Sequence, residues 1–294
     1  MTSSLDVSKP SVWLDRRVIA YAHQGGAWEA PSSTLHAIRQ AVRVGATGIE
    51  LDVHASADGV LVVGHDPTVD RTTNGAGQIA ELTLGQLRAL DNAFWWAPGA
   101  DVSPGLDPDR YPFRGLAPTD HRFGVATLEE VLEECPEVVL NLDIKRTAPD
   151  VAPYEEALAR LLRRFNRIDD VIVASFLDAA TEAFSSFAPE IPTSAGTAAV
   201  AGFFQSVRAG EDPEPMRHVA LQVPASFAGQ TLVDEAFVAA AHRSGLAVHV
   251  WTVEEESEMQ ALCDLGVDGI ITDRPTALVG VLNRRGDGWT GLAS

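Results

Sequence analysis

Short runs rich in β-branched and apolar residues recur along the chain. They are RVIAYAH (17–23), GIELDVHA (48–55), VLVVGHD (60–66), VVLNLDI (138–144), DVIVASF (170–176), IPTSAG (191–196), HVALQVP (218–224), LAVHVWTV (246–253) and DGIITD (268–273). Helical patterns separate several of them, with apolar residues three and four apart: Leu35, Ile38, Ala41 and Val42, then Val233, Phe237, Val238 and Ala241, then Met259, Leu262 and Leu265. Thr127 and Glu130 fit a capping box, which predicts a helix start near Leu128. Strand followed by helix, repeated through 294 residues, predicts an α/β fold around a parallel sheet, either doubly wound or closed into a (β/α)8 TIM barrel. A barrel has eight places for these nine runs. One run is therefore expected to be a hairpin arm or rim strand, and Asp58-Gly59 supplies a turn signal between the second and third. After the helical LTLGQLRAL, a segment rich in Pro and Gly from about Asn92 to Gly124 reads as an insertion.

Polar residues at the C-terminal ends of the runs decide between the two architectures. Alternate side chains of a strand share a face, so Glu50 and Asp52 project together, as do Asn141, Asp143 and Lys145. Interior carboxylates on two strands are costly without a partner, and a cation is the simplest one. In a barrel such ends converge on the rim where active sites of that fold lie; in an open sheet they spread along an edge. His23 and His65 stand at two further strand ends. A hairpin at Asp58-Gly59 would set residue 65 across from residues 51 and 52, which brings His65 near Asp52.

Composition narrows the partners. With 22 Lys+Arg against 41 Asp+Glu the formal charge is -19, which repels nucleic acid and anionic membrane, so any phosphate-bearing substrate needs a local positive centre. Cys135 and Cys263 form no CxxC pair and are expected to be core residues. MTSSLDVSKPSVWLDRR has no apolar signal-like core, and no run of about 18 apolar residues occurs, so a soluble cytoplasmic protein without stable membrane insertion is expected. GAGQIA from Gly75 follows a turn-rich stretch rather than a strand, which argues against a dinucleotide site, and no G-x-S-x-G nucleophile motif occurs.

The segments AHQGG with SSTLHAI, GATGIELDVHASADGVLVVGHDPTVDRTTNGAGQIAELT, ATLEEVL, LNLDIK, VIVASF and VHVWTVEEESEMQALCDLGVDGIITDRP resemble the glycerophosphodiester phosphodiesterase family, in the same order, from about Val18 to Pro275. The resemblance implies a single-domain TIM barrel with its core over about 18–283 and a small insertion at about 92–124. It implies a divalent metal ion, Mg2+ or Ca2+, and hydrolysis of small-molecule glycerophosphodiesters to glycerol 3-phosphate and an alcohol, a place in lipid and glycerol metabolism. Carried over by position, His23 and His65 would be the general acid and base, and Glu50 and Asp52 metal ligands. Asp143 would be the third ligand, where the family usually has glutamate, and Lys145 would meet the phosphate. Gln24, Phe176 and Trp251 are further substrate-binding candidates, the two aromatics from their places near strand ends. Trp95, Trp96 and Tyr111 are expected either to cover the substrate's apolar end or to pack the insertion, and His54 to stand near the metal or at the rim.

Three positions depart from the family's pattern. Gln24 replaces its usual arginine, Ser32-Ser33 its Glu-Asn, and Asp143 its glutamate. Glutamine offers only neutral hydrogen bonds where arginine offers a bidentate charged contact. If the family's arginine and glutamate touch, replacing both avoids an unpaired carboxylate. Three alternatives stay open beside the main reading: a lysophospholipase D-like activity on lipids, a binding relative with impaired catalysis, and a metal-dependent amidohydrolase, the last disfavoured because His23 is followed by Gln24-Gly25 rather than a His-x-His pair. The attacking oxygen is either water or the substrate's own 2-hydroxyl.

Overall fold

The computed structural model describes residues 12–14 and 17–289. Most of the N-terminal stretch discussed above therefore lies outside the described residues. Seven strands form a curled sheet in which every pair of neighbours along the path is parallel: β5 (Val171–Ala174), β4 (Val139–Ile144), β2 (Gly48–Ala55), β1 (Ile19–His23), β10 (Gly269–Thr272), β9 (Ala247–Trp251) and β6 (Ala220–Pro224). Between β5 and β6 the run IPTSAG forms no strand, only two parallel bridges, Val173 with Thr193 and Ser194 with Ala220. Pro192 has no N–H to give to a ladder, but its carbonyl accepts from Val173 at 3.0 Å, so a two-residue contact closes the ring. These eight positions make the predicted (β/α)8 barrel.

The ninth run is the hairpin arm. β3 (Leu61–Val63) pairs antiparallel with β2, with Val53 opposite Val63. A second small hairpin, β7 (Ser226–Phe227) with β8 (Gln230–Thr231), turns through Ala228 and Gly229 at φ 50° and 79°. It lacks the Asn-Gly or Asp-Gly signal and is not evident from sequence.

Helices pack outside. α1 (Leu35–Val44) buries Leu35, Ile38 and Ala41, while Val42 is exposed; α7 (Glu235–Arg243) buries Phe237, Val238 and Ala241, and α8 (Glu256–Leu265) buries Met259 and Leu262. The Thr83 and Thr127 capping boxes start α2 (Leu84–Arg88) and α3 (Leu128–Glu134), the second where the sequence places it. The outer layer is completed by α4 (Glu155–Arg164), α5 (Asp178–Phe187), α6 (Thr197–Ala209) and α9 (Pro275–Arg285). Cys135 and Cys263 are buried and free, with burial pushing both thiols up to about 11. Among the described residues no helix is long and apolar enough to cross a membrane.

Inside the ring, Tyr21 lies against the backbones of Gly48 and Gly269 on the two neighbouring strands; a Cβ at Gly269 would come within 3.0 Å of its ring. Tyr21 belongs to an apolar cluster with Trp13, Ile19, Val139, Ile172, Ile271 and Trp289. This packed floor leaves the polar residues at the strand ends as a site above it.

Candidate active site

Parallel register gathers the predicted residues. His23 pairs with Glu50, Glu50 with Asn141, and Asp52 with Asp143. Such pairs face the same side of a sheet, and here all five residues line one end of a cavity of about 720 Å3, together with His65 and Lys145. Directly after His23, the residues Gln24, Gly25 and Gly26 have φ of 52°, 86° and 93°. A Cβ at Gly25 would fall 2.8 Å from Ala37 Cβ, and one at Gly26 2.7 Å from the Pro275 ring. The two glycines thus let the chain turn tightly between α1 and α9, which fixes His23 at the rim.

His23 Nδ1 lies 2.6 Å from Asp273 Oδ1, its Nε2 3.1 Å from the Gln24 amide nitrogen and 3.8 Å from Glu50 Oε2. In the neutral ring a proton on Nδ1 donates to Asp273 and the Nε2 lone pair accepts from the Gln24 amide, whereas the imidazolium carries protons on both nitrogens. Burial works against the imidazolium, yet the Asp273 hydrogen bond and the charges of Glu50, Asp273 and Asp52 outweigh it and raise His23 to about 9. Asp273 is itself held, its N–H donating to Glu254 Oε1 at 3.0 Å. The sequence reading missed Asp273, whose only signal was its place at the end of the last strand run.

The carboxylates share Lys145. Its Nζ stands 2.8 Å from Asp52 Oδ1 and 3.2 Å from Asp143 Oδ2. Glu50 Oε2, Asp52 Oδ2, Asp143 Oδ1 and Asn141 Oδ1 are buried without a hydrogen-bond partner. Burial pushes Glu50 up to about 8, with the Asp52 charge adding to it, and pushes Asp143 up to about 6 against the pull of Lys145. Burial opposes the Lys145 charge, but Asp52 and Asp143 overcome it and keep the ammonium protonated. Among the described residues no three His, Cys, Asp or Glu are gathered closely enough to hold a metal ion as they stand. Unpartnered, hard carboxylate and amide oxygens on one wall nevertheless suit a hard divalent cation in chemistry, and they are costly to leave unsatisfied.

His65 approaches from the β3 hairpin, one residue beyond the one opposite Asp52: the Gly64 N–H donates to the Asp52 carbonyl at 3.1 Å. Its Nδ1 lies 2.6 Å from Asp66 Oδ1, and its ring centroid 6.4 Å from that of His23 at an interplanar angle of 83°. His54 sits 3.5 Å from the His65 carbonyl through Nε2 and does not line the cavity.

The opposite end of the cavity is apolar. Phe176, Val200, Phe204, Phe227, Leu232 and Trp251 line it, from β5, α6, the β7–β8 hairpin and β9. Phe176 and Trp251 meet edge to face at 5.6 Å, and Lys145 Nζ lies 5.6 Å from the Phe176 ring centre. Ser175 hydrogen-bonds the Ile144 carbonyl at 2.7 Å, as befits a strand-end polar residue.

Four candidates from the sequence stand elsewhere. Gln24 is buried beside His23 but does not line the cavity, and its partner is Ser33 rather than Ser32, the Ser33 N–H donating to the Gln24 carbonyl at 2.8 Å. Trp95, Trp96 and Tyr111 also do not line it. They pack the insertion: Trp96 donates to the Ala27 carbonyl at 2.8 Å and stacks on Phe113, while Tyr111 lies under the Arg114 guanidinium at 3.5 Å.

The sequence profile of the Glycerophosphoryl diester phosphodiesterase family matches residues 23–277. A glycerophosphodiester phosphodiesterase of Caldanaerobacter subterraneus subsp. tengcongensis is 30% identical over 275 residues, spanning 92% of this chain and 100% of that protein. Among solved structures, the glycerophosphoryl diester phosphodiesterase domain of a Mycobacterium tuberculosis protein superposes with a TM-score of 0.75 at 23% identity, covering 91% of this chain and 99% of that one. A phosphodiesterase of Oleispira antarctica, solved with the product sn-glycerol-3-phosphate, gives 0.63 at 21% identity, covering 90% and 96%.

Proposed function

The chain belongs to the glycerophosphoryl diester phosphodiesterase family, and we propose that it hydrolyses glycerophosphodiesters to glycerol 3-phosphate and an alcohol in the cytoplasm. One observation carries this reading. Two imidazoles, each with Nδ1 tied to a carboxylate, flank a wall that holds a buried ammonium and unpartnered carboxylate oxygens. With Nδ1 occupied, Nε2 of each ring is the nitrogen left for proton transfer.

In the proposed reaction a P–O bond forms to the attacking oxygen and the P–O bond to the alcohol breaks. One histidine Nε2 takes the attacker's proton; the other gives a proton to the departing alkoxide. Lys145 holds a non-bridging phosphate oxygen, and the packed floor below keeps the site closed on that side. A divalent ion, Mg2+ or Ca2+, would be held by Glu50, Asp52 and Asp143, where it would neutralise the phosphodiester's negative charge. The Oleispira phosphodiesterase was solved with the same product that this reading assigns.

His23→Ala and His65→Ala should each lower kcat on glycerophosphocholine by about 10²–10⁴-fold. A variant that keeps wild-type kcat removes that histidine from the reaction.

The apolar end of the cavity favours a second reading, lysophospholipase D-like cleavage of a monoacyl lipid. Cavities of about 300–1,000 Å3 take ligands of drug size, and a deacylated diester has no acyl chain to cover both Phe176 and Phe227, which are 55% and 70% exposed.

A further inference from the structure

The insertion supplies no atom to the cavity, yet it reaches the active site by another route. The Asp66 carboxylate, which accepts from His65 Nδ1 through Oδ1, accepts from Arg71 Nε through Oδ2 at 2.6 Å. Arg71 Nη1 in turn donates to Asp101 Oδ2, and Asp101 lies in the insertion. The insertion is anchored to the loop after β1 through the Gly99 N–H donating to the Trp28 carbonyl at 2.9 Å, as well as through Trp96. His65 itself is 41% exposed on its side chain and stands on a loop beyond the three-residue β3, so packing alone does little to fix its ring.

The geometry points to Arg71 and Asp101 as positioning residues for His65: the insertion fixes the guanidinium, the guanidinium fixes the second oxygen of Asp66, and Asp66 fixes the imidazole with Nε2 toward the cavity. This rests on the reading of His65 as one of the two proton-transfer groups. A neutral imidazole can carry its proton on either nitrogen, and the carboxylate selects Nδ1. An Asp66 held only by His65 could swing with it; held by a fork whose other arm is tied to the insertion, it cannot. The departure of the chain at Gln24 makes this chain of contacts more consequential, because the other histidine lacks a neighbouring arginine.

The test is steady-state kinetics on glycerophosphocholine combined with 15N spectra of histidine-labelled protein, for wild type, Asp101→Asn, Asp101→Glu, Arg71→Lys and the exposed control Asp109→Asn. Asp101→Asn and Arg71→Lys should lower kcat by about 10-fold or more with KM changed less than about twofold, since outer partners of a functional side chain typically act at about 10–100-fold. Asp101→Glu should recover part of the loss, and Asp109→Asn should match wild type. In the spectra, the His65 resonances should move from the Nδ1–H form toward a tautomer mixture in Asp101→Asn. Wild-type kcat and unmoved His65 resonances in Asp101→Asn would overturn the proposal. Should the wild type turn over no diester, the same tautomer shift would still uphold the positioning role while the hydrolytic reading fails; unmoved resonances would overturn the positioning role there too.

Discussion

The reaction proposed above gives the phosphate contact to Lys145 rather than to Gln24. Lys145 lines the cavity between Asp52 and Asp143, whereas Gln24 is buried behind the rim against His23. Lys145→Ala should therefore cost more in kcat/KM than Gln24→Ala, by about tenfold, the scale of one charge-assisted contact against a neutral one. Equal or reversed losses would show that Gln24 holds the phosphate. A second expectation follows from protonation. In the metal-free protein Glu50 titrates near 8 against an ordinary 4.5, and His23 near 9 against 6.5. Both values are raised, so from pH 6.5 to 8 the folded state binds more protons than the unfolded, and stability falls as pH rises. The depressed histidines His36, His54, His218 and His249 work the other way until the unfolded histidines have lost their protons, by about pH 7.5, and offset part of the fall, while Asp143, near 6, adds little in this window. Melting of the metal-free protein should drop by at least about 2 °C between pH 6.5 and 8. Mg2+ or Ca2+ should raise it more at pH 8; a flat or rising profile would contradict the protonation of the two groups. At this scale His23, Glu50, Asp52, Asp143 and Lys145 were legible, because strand periodicity fixes which side chains share a face. Asp273 was not, since its role depends on β10 lying next to β1 across 250 residues of sequence.

Elements with strong local signals were readable and those made by assembly were not. Thr127 with Glu130 marked the start of α3, and Asp58-Gly59 marked the β2–β3 hairpin, because capping and turn chemistry are written in neighbouring residues. IPTSAG looked like a strand but pairs at two residues only, because Pro192 interrupts its donors and its neighbours supply the rest of the ladder. Of the apolar half of the cavity the sequence points only to Phe176 and Trp251; the rest comes from α6 and the β7–β8 hairpin, which meet these strand ends only in the fold. That half carries its own prediction. Phe227→Ser, at the exposed hairpin, should raise KM for lysophosphatidylcholine about tenfold, the effect of losing about 1.4 kcal/mol of apolar contact, and leave glycerophosphocholine kinetics unchanged. No cleavage of the lysolipid by the wild type, or equal effects on both substrates, would sink the lipid reading.

At the scale of the whole molecule, the alternation of strand and helix leaves a doubly wound sheet and a barrel both open, and the polar strand ends with the family resemblance favour the barrel, whose closure brings those ends onto one rim. The formal charge of -19 gives the buried, doubly paired Lys145 ammonium at the rim its weight: in a field that repels phosphate, Lys145 and the cation assigned in the proposed reaction would supply the local positive centre. The hydrolytic reading and the non-catalytic one differ in a single observable. Glycerol 3-phosphate release from glycerophosphocholine should be measured with a chelator, with added Mg2+ and with added Ca2+, in wild type and in His65→Ala. Release by the wild type that depends on one of the two ions, and a loss of about 10²-fold or more in the variant, is the predicted result. Saturable binding of the diester with no release under any of these conditions would contradict it.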